Sequence, residues 1–126
     1  LTSEHAPVRR NAVGLLGDIA QEHPALVIDH ATEIADCLTD DAADTRRNAT
    51  ITLLRAGEAN PSAVKAEHEA LSTALNDEDS TVRANACTLI GNTHAPVSVD
   101  RLQTLRDTDP NDRVQEEAAR ALNRIN

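Results

Sequence analysis

The sequence predicts an all-α protein in which about three helix pairs stack into a right-handed α–α superhelix, followed by a C-terminal capping helix. Two observations support this fold class. A shift of 37 residues aligns similar side chains, and apolar residues recur in each repeat at the spacing of one helix face. The aligned columns are Leu1, Leu38 and Leu75; Val8, Thr45 and Val82; Arg9, Arg46 and Arg83; Asn11, Asn48 and Asn85; Ala12, Ala49 and Ala86; and Leu16, Leu53 and Ile90.

Each of the first two repeats is predicted to contain two helices, the second of which begins at a proline. Pro24 and Pro61 coincide in the 37-residue register, and a proline is tolerated at the first helical position because no intrahelical bond needs its N–H. The predicted apolar stripes of repeat one are Val8, Ala12, Leu15, Leu16, Ile19 and Ala20, then Val27, Ala31, Ile34 and Leu38. Those of repeat two are Ala49, Leu53 and Ala56, then Val64, Leu71 and Leu75.

The third repeat is shorter, and a single helix follows it. Its predicted stripes are Val82, Ala86, Leu89 and Ile90, then Val99, Leu102 and Leu105, and the last helix adds Val114, Ala118, Ala121, Leu122 and Ile125. The other sides of that helix are charged, as the end of a solenoid requires. We therefore expect one domain over 1–126, with repeats at about 1–37, 38–74 and 75–104 and a capping helix over 110–126. Because Leu1 takes the position that closes a second helix in later repeats, we expect a C-terminal fragment of a longer solenoid.

Composition limits the classes of function. The chain carries 21 acidic and 12 basic side chains, a net charge of −9, and no Phe, Tyr, Trp or Met. It resembles haloarchaeal cytoplasmic proteins in this respect, although a GC-rich genome would also give an acidic surface. The negative charge disfavours nucleic acid as a partner, and the lack of aromatic side chains excludes stacking sites. No apolar run approaches the length of a membrane span, so we expect a cytoplasmic protein.

The repeated motif resembles a known family. An acidic turn followed by Val-Arg-Arg-Asn-Ala and Leu-Leu-Gly on a helix pair resembles HEAT repeats of the adaptin-like and lyase-like groups, over essentially the whole chain. In repeat one these residues are Val8, Arg9, Arg10, Asn11 and Ala12, with Leu15, Leu16 and Gly17. Two departures are Thr45 at an apolar position and Leu54 where Gly17 and Gly91 stand. The resemblance implies a helical scaffold and supplies no catalytic residue.

The polar candidates for chemistry are interpreted as structural. The acidic turns are expected to cap the next helices; they are Asp40, Asp41 and Asp44, then Asp77, Glu78 and Asp79, then Asp107, Asp109 and Asp112. A calcium loop at Asp107 fails because Asp112 and Ala118 replace the glycine and the bidentate glutamate that such a loop needs. His68 and Glu69 form the single His-Glu dipeptide, whereas metal-dependent HEAT enzymes have several. We predict no catalytic, cofactor-binding or metal-binding residue, and packed positions for His68 and Cys87.

The column formed by Arg9, Arg46 and Arg83 recurs in register and has two interpretations. It could bind anions, or it could pair with the preceding acidic turns between repeats. We favour the structural interpretation because the guanidinium fork matches carboxylates.

The second helices are expected to line the concave face, which would be acidic. The candidate residues on this face are Asp29, His30, Glu33, Asp36, Glu67 and Glu69. Such a groove would suit a basic protein or peptide partner, although a merely solvated face explains the same residues. The leading hypothesis is a non-enzymatic scaffold that binds a protein partner and needs no cofactor. The alternatives are an accessory subunit of a lyase-like or protein-modifying enzyme and a HEAT solenoid that binds nucleic acid.

Overall fold

The computed structural model describes residues 30–125, and within that range it contains seven α-helices and no strand. The helices are α1 (Ala31–Asp36), which continues as a 3₁₀ turn (Cys37–Thr39), α2 (Ala43–Ala59), α3 (Pro61–Lys65), α4 (His68–Ala74), α5 (Ser80–Thr93), α6 (Val99–Thr108) and α7 (Asp112–Ile125). The predicted first helix of repeat one, the start of its second helix, Arg9 and Asp29 lie outside the described residues.

The helices form two layers. The first helices of successive repeats pack side by side, since α2 contacts α5 and α5 contacts α7. The second helices form the other layer: α1 packs on α2, α3 packs on α2 and α5, α4 packs on α5, and α6 packs on α7. The predicted all-α solenoid is therefore confirmed as the fold class.

The predicted apolar stripes of the described range form the core, except that Val99 is exposed and Ile125 is only partly buried. Buried stripe residues in the described range are Ala31, Ile34, Leu38, Ala49, Leu53, Ala56, Val64, Leu71, Leu75, Val82, Ala86, Leu89, Ile90, Leu102, Leu105, Val114, Ala118, Ala121 and Leu122. Val99 was expected among them, but it is 40% exposed. At 100° per residue it lies about 120° around α6 from Leu105, so it falls at the edge of the buried stripe.

Two other local features differ from a simple repeat. The second helix of repeat two is divided by a turn at Ala66 and Glu67, although Val64 and Leu71 on either side are both fully buried. Thr45 is also fully buried, and its hydroxyl has no hydrogen-bond partner among the described residues. A polar group in this state costs free energy, so Thr45 is a weak point of the core.

A short turn separates the last two helices. Helix α6 ends at Thr108 and includes Leu105, the last residue of its predicted apolar stripe. Helix α7 begins at Asp112 rather than at 110, because the side chain of Asn111 caps it by accepting hydrogen bonds from the N–H groups of Arg113 and Val114. Its buried residues form one stripe, and exposed Arg113, Glu116 and Arg120 make its remaining surface polar.

Helices α5 and α7 approach each other closely at Gly91. A Cβ atom at this position would lie 2.9 Å from the Ala121 Cα and 3.2 Å from the Ala121 Cβ. Both atoms belong to a packed helix and cannot rotate away, so the contact requires glycine. Gly57 of α2 is different, because a Cβ there would meet Val64 and Thr93 at 3.6 and 3.7 Å, which are ordinary contacts.

We therefore predict opposite effects for the same substitution at these two glycines. Gly91→Ala should lower the free energy of unfolding by about 1–3 kcal/mol, because α7 must move away from α5. Gly57→Ala serves as the control and should raise it by up to about 1 kcal/mol through helix propensity. Urea denaturation followed by circular dichroism measures both. Equal stability of Gly91→Ala and the wild type would contradict the close approach.

Candidate interaction surfaces

Arg46 connects two successive turns. Its NH1 group donates to the backbone carbonyl oxygens of Asp40 and Asp41 at 2.9 and 3.1 Å, which belong to the turn before α2. Its Nε and NH2 groups donate to the Asp77 carboxylate at 2.9 and 3.3 Å, which belongs to the turn before α5. One guanidinium therefore holds the turns of two repeats together.

Arg83 repeats this geometry one repeat later. Its NH1 group donates to the carbonyl oxygens of Asp77 and Glu78 at 2.8 and 3.1 Å, and its Nε and NH2 groups donate to the Asp109 carboxylate at 2.9 and 3.2 Å. At the equivalent position of α7, Gln115 donates to the Asp109 carbonyl oxygen at 2.7 Å. We call the two complete connections, made by Arg46 and Arg83, the arginine bridges.

The bridges differ in one respect from the expected pairing. The column was expected to pair with the acidic turn that precedes each arginine, but that turn supplies backbone carbonyl groups and the following turn supplies the carboxylate. The fork of N–H groups on arginine makes both contacts possible at once. Because the Arg46 and Arg83 side chains are only 14% and 13% exposed, these guanidinium groups have little surface left for an external anion.

Hydrogen bonds between side chain and backbone also stabilise each acidic turn. The carboxylates of Asp40, Asp77 and Asp109 each accept a hydrogen bond from the backbone N–H two residues later, at 2.8–2.9 Å. Burial by itself raises the pKa of Asp109, but hydrogen bonds from Arg83 and the Asn111 N–H hold this pKa below its usual value of 3.8. Asp109 therefore stays ionised at neutral pH although its side chain is 4% exposed.

Asn85 forms a second connection that the sequence reasoning missed. It is buried, its amide nitrogen donates to the Thr50 hydroxyl at 3.0 Å, and its oxygen accepts a bond from Arg113 at 3.0 Å. These bonds join α2, α5 and α7. The signal was present in the sequence, since Asn11, Asn48 and Asn85 recur in register as the arginines do.

The structure brings together the described members of the predicted acidic surface. His30, Glu33 and Asp36 lie on and just before α1, and Glu67 and Glu69 lie at the start of α4. The Thr32 hydroxyl donates to the Glu67 carboxylate at 2.6 Å and joins the two helices. We call Glu33, Asp36, Glu67 and Glu69 the second-helix surface.

The carboxylates on this surface form fewer hydrogen bonds and ion pairs than those of the turns. Glu33 has a 3.5 Å contact with His30, and Glu67 accepts the bond from Thr32. Within residues 30–125, none of the four carboxylates forms an ion pair with an arginine or lysine, and Glu33, Asp36 and Glu69 are exposed. The second-helix surface is therefore negative and accessible.

The residues considered for chemistry are dispersed or buried. His68 is half-buried, and no group of three His, Cys, Asp or Glu side chains in the described range could hold a metal ion. Cys37 and Cys87 are both buried and form no disulfide bond. Burial raises the pKa of the Cys87 thiol to about 12, and the charges of Glu117 and Asp109 act in the same direction, so this thiol is a poor nucleophile. In the part of the chain that the structure describes, no helix has the length and apolar character to cross a membrane.

Comparison with known proteins decides the family. The family model for HEAT repeats matches residues 33–123. The chain belongs to the HEAT-repeat family. A solved structure, the crystal structure of an engineered protein, is similar with a TM-score of 0.78 and 23% sequence identity, covering 99% of this chain and 59% of that one. The HEAT chain thus spans about three fifths of the length of this engineered protein, and the similarity shows the fold. No curated protein sequence matches it.

The arginine bridges of this HEAT array should make its free energy of unfolding depend on pH. Arg83→Met should lower the free energy of unfolding at pH 7 by about 3 kcal/mol, because the variant leaves the Asp109 charge buried without its partner. Since the native pKa of Asp109 is lowered, its contribution in the wild type is complete above pH 3.8 and is lost as pH falls through the native value. The stability difference between variant and wild type should therefore shrink below that pH. Urea melts across this range measure it.

Arg106→Met provides a matched control. Arg106 pairs with Asp107 on the surface of α6, where the two side chains are 42% and 60% exposed. Its removal should leave the free energy of unfolding unchanged within error at pH 7 and below pH 3.8. Exposed ion pairs contribute little to stability. If the Arg83 and Arg106 variants were equally stable at pH 7, the arginine bridge would not be a source of stability.

Proposed function

We propose that this HEAT chain is a non-enzymatic scaffold that binds a basic protein or peptide along the second-helix surface. The observation that supports the proposal is the difference between two sets of carboxylates. Those of Asp77, Asp79 and Asp109 in the turns are paired with arginines, whereas Glu33 and Asp36 are exposed and have no such partner within residues 30–125. Exposed carboxylates on adjacent helices are suited to Lys and Arg side chains spaced along a partner helix or strand.

The fold supplies the rigidity that such a surface needs. Helix α1 is held to α4 by the bond from Thr32 to Glu67, and both helices rest on first helices that the arginine bridges keep in register. A preorganised surface loses less conformational freedom on binding than a flexible one, which favours affinity. Exposed Asp100 extends the negative charge onto α6.

The test of this proposal compares two triple variants that remove the same charge. Glu33→Gln, Asp36→Asn and Glu69→Gln together neutralise the three exposed carboxylates of the second-helix surface, while Glu78→Gln, Asp112→Asn and Glu116→Gln neutralise three exposed carboxylates elsewhere. The probe is a fluorescein-labelled amphipathic peptide with arginine at every fourth position, titrated at low ionic strength. The first variant should lose about tenfold in affinity, which corresponds to about 1.4 kcal/mol.

The second triple variant should retain most of the affinity of the wild type. It carries the same net charge as the first, so the comparison separates a local surface from general attraction between a basic peptide and an acidic protein. Equal losses in the two variants would remove the second-helix surface from the proposal. Fluorescence anisotropy measures both affinities under identical conditions.

We also infer that the protein works in a salt-rich cytoplasm such as that of haloarchaea. The inference is supported by the excess of 21 acidic over 12 basic side chains, with Lys65 as the single lysine. Repulsion among exposed carboxylates destabilises the compact state at low ionic strength and is screened by salt. The melting temperature should therefore rise as KCl increases from about 0.1 M to about 2 M. A melting temperature independent of KCl would contradict the inference.

A further inference from the structure

A histidine lies beside the carboxylates of the second-helix surface, whereas arginines lie beside those of the turns. The Nδ1 atom of His30 is 3.5 Å from the Oε1 atom of Glu33, which lies in the first turn of α1. Histidine is the side chain that changes charge between about pH 5 and about pH 8, while arginine keeps its charge. The contact between His30 and Glu33 is therefore an ion pair only when the imidazole is protonated.

The other groups around His30 come from the elements that pack on α1, which are α2, the 3₁₀ turn and α4 in the described range. The buried side chains of α2 are threonine, alanine and leucine, and the 3₁₀ turn contributes buried Cys37. Helix α4 contributes Glu69 and His68, and the residue before it, Glu67, is held beside α1 by the bond from Thr32. The fixed charges that these elements add to the second-helix surface are therefore carboxylates.

The cation beside this surface is a titratable one. Lys65 ends α3 and is exposed, but it forms no described ion pair with Glu67 or Glu69. Half-buried His68 forms none either. Within residues 30–125, His30 is the one basic side chain paired with a carboxylate of the second-helix surface, and it is 48% exposed. The pH of the solution therefore sets how much negative charge this surface presents.

We propose that protonation of His30 weakens the binding of a basic partner, so that the second-helix surface binds near pH 8 and releases its partner as the pH falls toward about 6. The inference rests on the proposed function and adds a regulation of the same site. A protonated imidazole pairs with Glu33 and repels the Lys or Arg side chain that would otherwise approach this carboxylate. By linkage, a bound basic partner keeps His30 neutral, so partner and proton compete.

The test measures the affinity of the arginine peptide at about pH 8 and at about pH 5.8, at one low ionic strength. Arginine stays charged and ordinary carboxylates stay ionised over this range, so histidines are the side chains that titrate. The peptide carries tetramethylrhodamine, because the emission of fluorescein changes with pH. The wild type should bind about threefold more weakly at the lower pH, as expected for one charge close to the site in water.

Variants assign this change to one imidazole. His30→Gln should bind with nearly equal affinity at both pH values, and His30→Arg should bind near pH 8 as weakly as the wild type does at about pH 5.8. The control, His94→Asn, removes an exposed histidine at the C-terminal end of α5 and should keep the pH dependence of the wild type. Asparagine tolerates the left-handed backbone that His94 adopts.

The outcomes separate this inference from the proposed function. If the peptide does not bind near pH 8, or if the two triple variants lose equal affinity there, the proposed function fails and its regulation fails with it. If binding depends on the second-helix surface but the wild type binds equally at both pH values, the regulation alone is overturned. A His30→Gln variant that keeps the pH dependence of the wild type would overturn it as well.

Discussion

The arrangement of this HEAT array depends on the guanidinium group that each of Arg46 and Arg83 places between two turns. One side of the fork binds the backbone of the turn before its own helix, and the other binds the carboxylate of the next turn. A lysine could not satisfy both at once, because an ammonium group is a compact donor without a planar fork. The arginine bridges therefore hold successive repeats together at the edge formed by the turns.

The arginine bridges also separate the carboxylates of this chain into paired, buried groups and exposed groups. A protein with a net charge of −9 could present carboxylates over its entire surface. Here the buried carboxylates of the turns are neutralised by arginines, whereas those on α1 and at the start of α4 are accessible and have no arginine or lysine partner within residues 30–125. Aspartate thus has two roles in this chain. Buried Asp109 is paired with Arg83 and stabilises the stack, whereas exposed Asp36 is accessible to another protein.

The packing of the first helices also shapes the edge of the array opposite the acidic turns. Gly91 lets α5 approach α7 closely, whereas Leu54 occupies the corresponding position of α2 and leaves an apolar wall. Neighbouring repeats that would be equivalent in an ideal solenoid therefore differ at this position. Departures from the repeat, rather than the repeat itself, distinguish this surface from those of a regular array.

The sequence by itself determined the architecture, because a 37-residue register and stripes at helical spacing depend on local periodicity alone. It also marked most of the buried positions of the described repeats, with Val99 as the error. Only the tertiary structure showed that the carboxylate partners of the arginines come from the following turn, that Asn85 joins three helices, and that Gly57 and Gly91 have different surroundings. These features depend on distances between residues far apart in the chain, which a one-dimensional pattern does not contain.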